Sequence, residues 1–574
     1  MKAIAICLLL CLACTAAWGG FKLPFEVPPD TSRPPITPSW GFGLWVWEDD
    51  LNTAAAVQDL VEGYARHNIP ISAVMIDSPW STLYNNFRWD TRRYPEPQKL
   101  IDGWHARGLK VVLWMTNMVN SKDQQADACG DPTEDIYTFA KEKGYLCNNG
   151  KLTEWWKGAG GFPDYTNPEA VSWWHSLMDR ALDMGIDGWK VDGSSAHFPL
   201  TGGTCMAGPI NMMQYSDMYY RDTYQHLVYK RKHGVTMVRS VDTADIGYEG
   251  RHSPRDAAPV TWVGDNRHTW DERGILEALD CTFRAMDMGY PVIGSDTAGY
   301  QSDPANKTAL GVPRTLFVRW AQWNAFMPFF INGGHNEHRP WMFDQEVLDI
   351  FRDYAWTHEQ LKPYWYSGVV QAHNGTAQFL ARAEGKWEYT IGKEFLVAPI
   401  YEDSTRRQVV LPEGRWHYYC DPAQTWTGPT TITLDVPLNR FPVFVREGAI
   451  IPMRQVFPGV DAAWAAGALT LDLYPGADGQ YTVYEEPTLA ETRVTLTGSE
   501  ADCTVTITGG PQRPYVLRVA ASKAPRSVSA GGKSLAQIPN QKAWLKARTG
   551  WRYADGRLWI KLPTLAKTTV RIKG

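Results

Sequence analysis

Gly188-Trp189-Lys190-Val191-Asp192-Gly193-Ser194-Ser195 ends a short apolar run on a carboxylate. Side chains repeat every second residue along a strand, so Lys190 and Asp192 fall on one side, where the ammonium favours the ionised carboxylate. Alone, an Asp-Gly pair marks an ordinary turn. What separates the two readings is whether other strands of the chain end in the same way.

Working outward from Gly188, short β-rich apolar runs alternate with amphipathic helical stretches. The strand candidates are Trp40 to Trp47, Ile71 to Asp77, Lys110 to Met118, Ile186 to Asp192, Thr236 to Asp242, Pro259 to Asp265, Pro291 to Asp296 and Ala325 to Asn332. Helical periodicity covers Leu51 to His67, Pro168 to Met184, Met212 to Lys232, Glu272 to Met288 and Asn306 to Trp320. Eight βα units over residues 20–367 predict an α/β fold, a (β/α)₈ TIM barrel, whose chemistry lies at the C-terminal ends of its strands. A long insertion after the third strand, about 120–165 and rich in Gly, Asp and Trp, is expected to form a lobe over the mouth. After Ser367 helical periodicity fades and alternating strands with Gly and Pro turns take over. They predict two C-terminal β-sandwich domains, 368–453 and 454–574, divided near Pro452 to Ala466.

The composition agrees with a multidomain protein. At 574 residues and 44% hydrophobic the chain exceeds a single core. A net charge of -5 without a basic block gives no sign of a nucleic-acid partner. The 27 tryptophans suit sugar-facing surfaces, where a flat ring covers the C–H face of a pyranose. Residues 1–19, Met1-Lys2 followed by the apolar run Ala3 to Ala17, read as a cleavable signal peptide of a secreted or periplasmic protein, and a lipoprotein through Cys14 fits less well. No other run is apolar enough to span a membrane. Six cysteines remain beyond it, without zinc-ligand spacing, and Cys129 with Cys147 is one pair that an oxidising compartment would allow to bridge. Nothing in the sequence speaks to oligomeric state.

The strand ends bring Trp47, Asp77, Trp114, Asp192, Arg239, Asp265 and Asp296 to one mouth, with His335 after the eighth strand. Paired carboxylates and an aromatic wall, without a metal cluster or phosphate loop, are the equipment for cleaving a glycosidic bond, and neither metal nor cofactor is expected. Asp192 beside Lys190 is the better permanent anion. Asp265, after an apolar strand and near Trp262, is placed where desolvation favours a proton and acid work.

Several motifs resemble glycoside hydrolase family 31: Gly188 to Asp192, Trp262-Val263-Gly264-Asp265-Asn266, Phe162-Pro163-Asp164-Tyr165-Thr166-Asn167-Pro168, Gly294-Ser295-Asp296-Thr297-Ala298-Gly299-Tyr300 and Phe395-Leu396-Val397-Ala398-Pro399. The resemblance implies a retaining mechanism with Asp192 as nucleophile and Asp265 as acid/base. It also implies sugar contacts for Trp47, Asp77, Trp156, Arg239, Asp296 and His335; Trp114, Trp262 and Lys190, the last as a hydroxyl contact, are further substrate-binding candidates. The expected function is that of a secreted, exo-acting retaining α-glycosidase on an oligosaccharide or glycoside. Transglycosylase, α-glucan lyase and non-catalytic carbohydrate-binding readings stand beside it. The chain departs from the family in carrying Met75 where α-glucosidases have a second acid two residues before Asp77. Ser195 stands where a Glu is common three residues after the family's nucleophile, the segment around His335 is longer than usual, and no N-terminal β-sandwich is expected in the residues ahead of Trp40. Met75, Trp114 and Lys190 together point to galactose-type or xylose-type sugars ahead of glucose.

Overall fold

The computed structural model describes residues 29–49, 52–200, 202–242, 250–303, 310–454 and 467–574. The expected signal segment, the start of the helix expected from Asn306, and residues 455–466 of the expected division between the C-terminal modules lie outside them.

Eight parallel strands form the barrel: β1 (Leu44–Glu48), β2 (Ala73–Ile76), β3 (Lys110–Met115), β4 (Gly188–Val191), β5 (Val235–Arg239), β6 (Val260–Trp262), β7 (Ile293–Gly294) and β8 (Phe330–Asn332). Hydrogen bonding runs β7-β6-β5-β4-β3-β2-β1-β8, and a single parallel bridge from Asp296 to Ile331 closes the ring. Nearly every strand residue is buried, as expected where helices cover one face and side chains fill the other. Gly188 shows how close the packing is: a Cβ there would lie 2.3 Å from the Val235 carbonyl oxygen on the next strand.

The helices following the strands are α1 (Ala54–Arg66), α2 (Pro97–Ala106), α3 (Pro168–Leu182), α4 (Met212–Lys230), α5 (Ile275–Asp287), α6 (Arg314–Ala325) and α7 (Gln345–Gln360). Their starts follow from the sequence. Thr53, Asn167, Asn211 and Asp344 cap α1, α3, α4 and α7 through side-chain oxygens, and Asn211 with Gln214 makes a full capping box on α4. The eighth unit differs from expectation at its start, because α6 runs through Ala325 and the strand begins at Phe330. The unit after β5 also differs. Residues 250–259 carry Gly250, Pro254 and Pro259, and among the described residues only the short 3₁₀ turn Arg255–Ala257 follows that strand.

The insertion after β3 is a small lobe with a three-stranded sheet, Val119–Asn120, Gly158–Gly161 and Thr153–Trp155, and a short helix Ile136–Glu142. Cys147 in this lobe is bridged to Cys205 in the Gly203–Cys205/Gly208–Ile210 hairpin that follows β4, and Cys129 is free. The Cys129–Cys147 bridge, which the sequence left open, is not formed. The partner of Cys147 comes from the next βα loop, 58 residues away, which spacing along one loop does not reveal. Asp164 reinforces this junction, accepting from Thr166 within its own turn and from the Met206 backbone N–H at 2.6 Å.

Beyond α7, helix α8 (Lys362–His373) leads into a six-stranded antiparallel sheet that includes the long hairpin Arg406–Tyr418/Asp421–Asp435. Arg319 of α6 docks this unit on the barrel by donating to the carbonyls of Val436 and Arg440 at 2.6 and 2.7 Å. The last unit packs a five-stranded mixed sheet with a six-stranded antiparallel one. Its first strand is Ile450–Met453, paired with Leu469–Leu473.

Candidate active site

Register and alternation place the site. Trp114 on β3 lies beside Lys190 on β4, and Arg239 on β5 lies beside Trp262 on β6, all at the C-terminal rim. Asp192, one step above Lys190, is 6% exposed and fully engaged. Its Oδ1 accepts from Arg239 Nε at 2.8 Å and from the Gly193 N–H at 2.6 Å, and its Oδ2 accepts from Trp114 Nε1 at 3.0 Å. Burial alone would raise its pKa. The Arg239 and Lys190 charges and the two further hydrogen bonds outweigh that and hold the carboxyl below the ordinary range.

Arg239 serves both candidate acids. While Nε holds Asp192, Nη2 donates to Asp265 Oδ2 at 2.9 Å and Nη1 pairs with the buried Asp242. The fork geometry of guanidinium makes this triple contact possible, and an ammonium has no equivalent. Asp265 keeps 18% of its side chain exposed, against 8% for Asp192. The Trp262 ring lies 4.9 Å from the Arg239 guanidinium and 5.2 Å from Lys190 Nζ.

Lys190 supports the Asp192 anion through its charge, as their shared strand face led one to expect, while its hydrogen bond goes elsewhere. Its Nζ reaches across the mouth to Asp77 Oδ2 at 2.8 Å and lies 4.4 Å over the Trp47 ring. Burial opposes its charge, yet Asp77 first, then Asp296, Asp192 and Asp265, hold the ammonium above its ordinary value. Asp77 goes the other way: burial raises it despite Lys190, and the charge of Asp49 adds to the rise. Asp296 is 1% exposed and neither of its oxygens meets a donor among the described residues. Burial pushes its pKa to about 7, with Lys190 opposing and Asp265 adding. The indole N–H groups of Trp47 and Trp262 are also buried without a hydrogen-bond partner among the described residues. Orphaned polar groups of this kind around one ammonium are what a polar ligand would satisfy.

The remaining expected residues lie further out. Trp114 stacks on Trp155 at 6.4 Å, Trp155 meets Trp156 edge-on, and Trp156, 47% exposed, rests against His197 on the rim. Along this stack Trp156 is separated from Asp192 by two indoles, Trp155 and Trp114. His335 sits at the mouth on Tyr300, with Nε2 3.1 Å from Asp49 Oδ2. Ser195 faces away: its hydroxyl is 3.0 Å from Ser216 on α4, so it braces the loop after β4.

Sequence reasoning missed Asp49, Tyr300 and Asp242. Asp49 falls two residues after Trp47, and Tyr300, the last residue of the Gly294 to Tyr300 motif, stacks on Trp47 at 5.6 Å. The alternation that selected Trp47 would also have selected Asp49. Gly333 permits this arrangement, since a Cβ there would stand 2.1 Å from Trp47 Cδ1.

Residues 34–368 match the glycosyl hydrolases family 31 TIM-barrel domain, and residues 376–451 match the glycosyl hydrolase family 31 C-terminal domain. The chain belongs to glycosyl hydrolase family 31. Among family 31 relatives it is 25% identical over 457 residues to the α-xylosidase XylQ of Lactiplantibacillus pentosus, covering 75% of this chain and 56% of that one. It is also 25% identical over 594 residues to an isomaltosyltransferase of Sporosarcina globispora, covering 91% and 51%. The chain spans about half the length of these curated relatives. The family 31 dextranase of Flavobacterium johnsoniae, solved with glucose, shares the fold with a TM-score of 0.82 at 21% identity, over 95% of this chain and 72% of that one.

Proposed function

We infer that the protein is an exo-acting retaining α-glycosidase. The observation that carries this reading is the single guanidinium of Arg239 bonded to Asp192 and Asp265 from neighbouring strands. Asp192, held ionised, attacks the anomeric carbon. Asp265, the more exposed acid, gives its proton to the leaving oxygen, which displaces the Arg239 contact as it arrives. Asp265 then takes a proton from water, and that water cleaves the glycosyl ester on Asp192 and releases the sugar. Trp47, Trp114 and Trp262 wall the sugar, while Asp77, Lys190 and Asp296 take its hydroxyls; Trp156 and His335 border the entrance.

Asp192→Ala is expected to abolish turnover of nitrophenyl α-glycosides, and a fluorinated glycosyl fluoride should leave a glycosyl mass on the peptide containing Asp192. Full activity in the alanine variant would remove the assignment. The likeness to an isomaltosyltransferase over most of the chain makes transfer the second reading, told apart by oligosaccharide products longer than the substrate. Both acids being in place weighs against a purely sugar-binding protein. The leader-like residues 1–19 and the Cys147–Cys205 bridge support export to an oxidising compartment.

A further inference from the structure

The wall of the pocket furthest from the two acids holds a carboxylate that the glycosidase mechanism leaves unused. Around the ring β1 stands three strands from β4 and three from β6, the strands that bring Asp192 and Asp265. A pyranose whose C1 lies between those acids therefore sets its opposite edge over β1, and the ring atom opposite C1 is C4. Asp49 follows β1 directly, on the side of Trp47 and one step nearer the mouth. One of its oxygens is engaged by His335 Nε2 at 3.1 Å, and 15% of its side chain is exposed. Its charge reaches Asp77 and the Tyr300 phenol, which places it on their side of the pocket. On β2 the residue two before Asp77 is Met75, apolar and fully buried, so that strand offers one carboxylate to this edge of the sugar.

We propose that Asp49, oriented by His335, is a substrate-binding residue that accepts a hydrogen bond from the C4 hydroxyl of the terminal pyranose beside Asp77, and so restricts the site to sugars with a free 4-hydroxyl. This rests on the glycosidase reading. The test compares the best nitrophenyl α-glycoside substrate with its 4-deoxy analogue, for the full chain and for Asp49→Asn. A hydrogen bond to a charged acceptor is worth enough that the variant should lose about tenfold or more in kcat/KM on the parent. On the analogue it should lose less than about twofold. Equal losses on both substrates would make Asp49 a support for His335 only and would overturn the proposal, leaving the glycosidase reading intact. The proposal is overturned equally, without any variant, if the unaltered protein hydrolyses the 4-deoxy analogue as fast as the parent. Failure of the unaltered protein to hydrolyse any glycoside would remove both.

Discussion

Asparagine at position 296 is expected to stabilise the barrel above neutral pH while costing the protein its activity. The buried Asp296 carboxyl has a pKa of about 7, through burial first and the Asp265 and Asp77 charges second, against the partial relief given by Lys190 and Arg239. In the unfolded chain it titrates at about 3.9. Between those values the folded protein holds a proton that the unfolded chain has lost, so stability falls as pH rises through this window and the full penalty is present above pH 7. About three units at ~1.36 kcal/mol each sets an upper bound of ~4 kcal/mol. An Asn side chain does not titrate, so Asp296→Asn should match the natural protein near pH 4 and gain a few kcal/mol on it by pH 7.5. Calorimetry compares the two proteins across a pH series. A gap that stays constant with pH, or a variant less stable at pH 7.5, would refute the reasoning. Loss of activity in the more stable variant would show that the strain serves the sugar.

Two other outcomes follow. Trp114→Phe removes the N–H donated to Asp192 Oδ2, and a hydrogen bond to a charged group is worth ~1.5–3 kcal/mol. The acid limb of kcat/KM should move up by about one to two pH units, and an unmoved limb would mean that Trp114 does not hold the anion. Replacing both Cys147 and Cys205 by Ser opens a 58-residue span, for which chain entropy sets a loss of up to ~4 kcal/mol. The barrel transition should fall in the variant and, equally, in the natural protein under reductant. A transition insensitive to reductant would show that the bridge does not form.

The barrel was legible because parallel strands buried on both faces must be written as apolar runs ending where the chain turns to solvent. Asp77, Asp192, Arg239, Asp265 and Asp296 emerged from that rule alone, each at a strand end. Which residue bonds which was not legible. Lys190 shares a strand with Asp192 but is long enough to cross the mouth to Asp77, and the partner of Asp192 comes from β5. The bridge between Cys147 and Cys205 joins two loops whose contact depends on where the lobe folds over. Ser195, three residues after Asp192, had no role legible in the sequence, and the 3₁₀ turn Ser194–His197 sets it against Ser216 on α4.

The charge arrangement explains why so many acids coexist in one mouth. Asp77, Asp192, Asp242, Asp265 and Asp296 surround two cations, Lys190 and Arg239, while Asp49 pairs with His335. The cations are not shared evenly. Arg239 gives its fork to Asp192, Asp242 and Asp265, which on the glycosidase reading fixes an anion where positive charge would develop at the anomeric carbon. Lys190 bonds Asp77 and leaves Asp296 with no donor among the described residues, so that carboxyl carries the desolvation cost until hydroxyls arrive. On the proposed reading, a sugar entering this pocket would supply donors where they are missing, at Asp296, and find the anion already in place at Asp192. That reading draws binding energy from the side of the mouth where Asp296 lacks a donor among the described residues and runs the chemistry on the side that Arg239 preorganises.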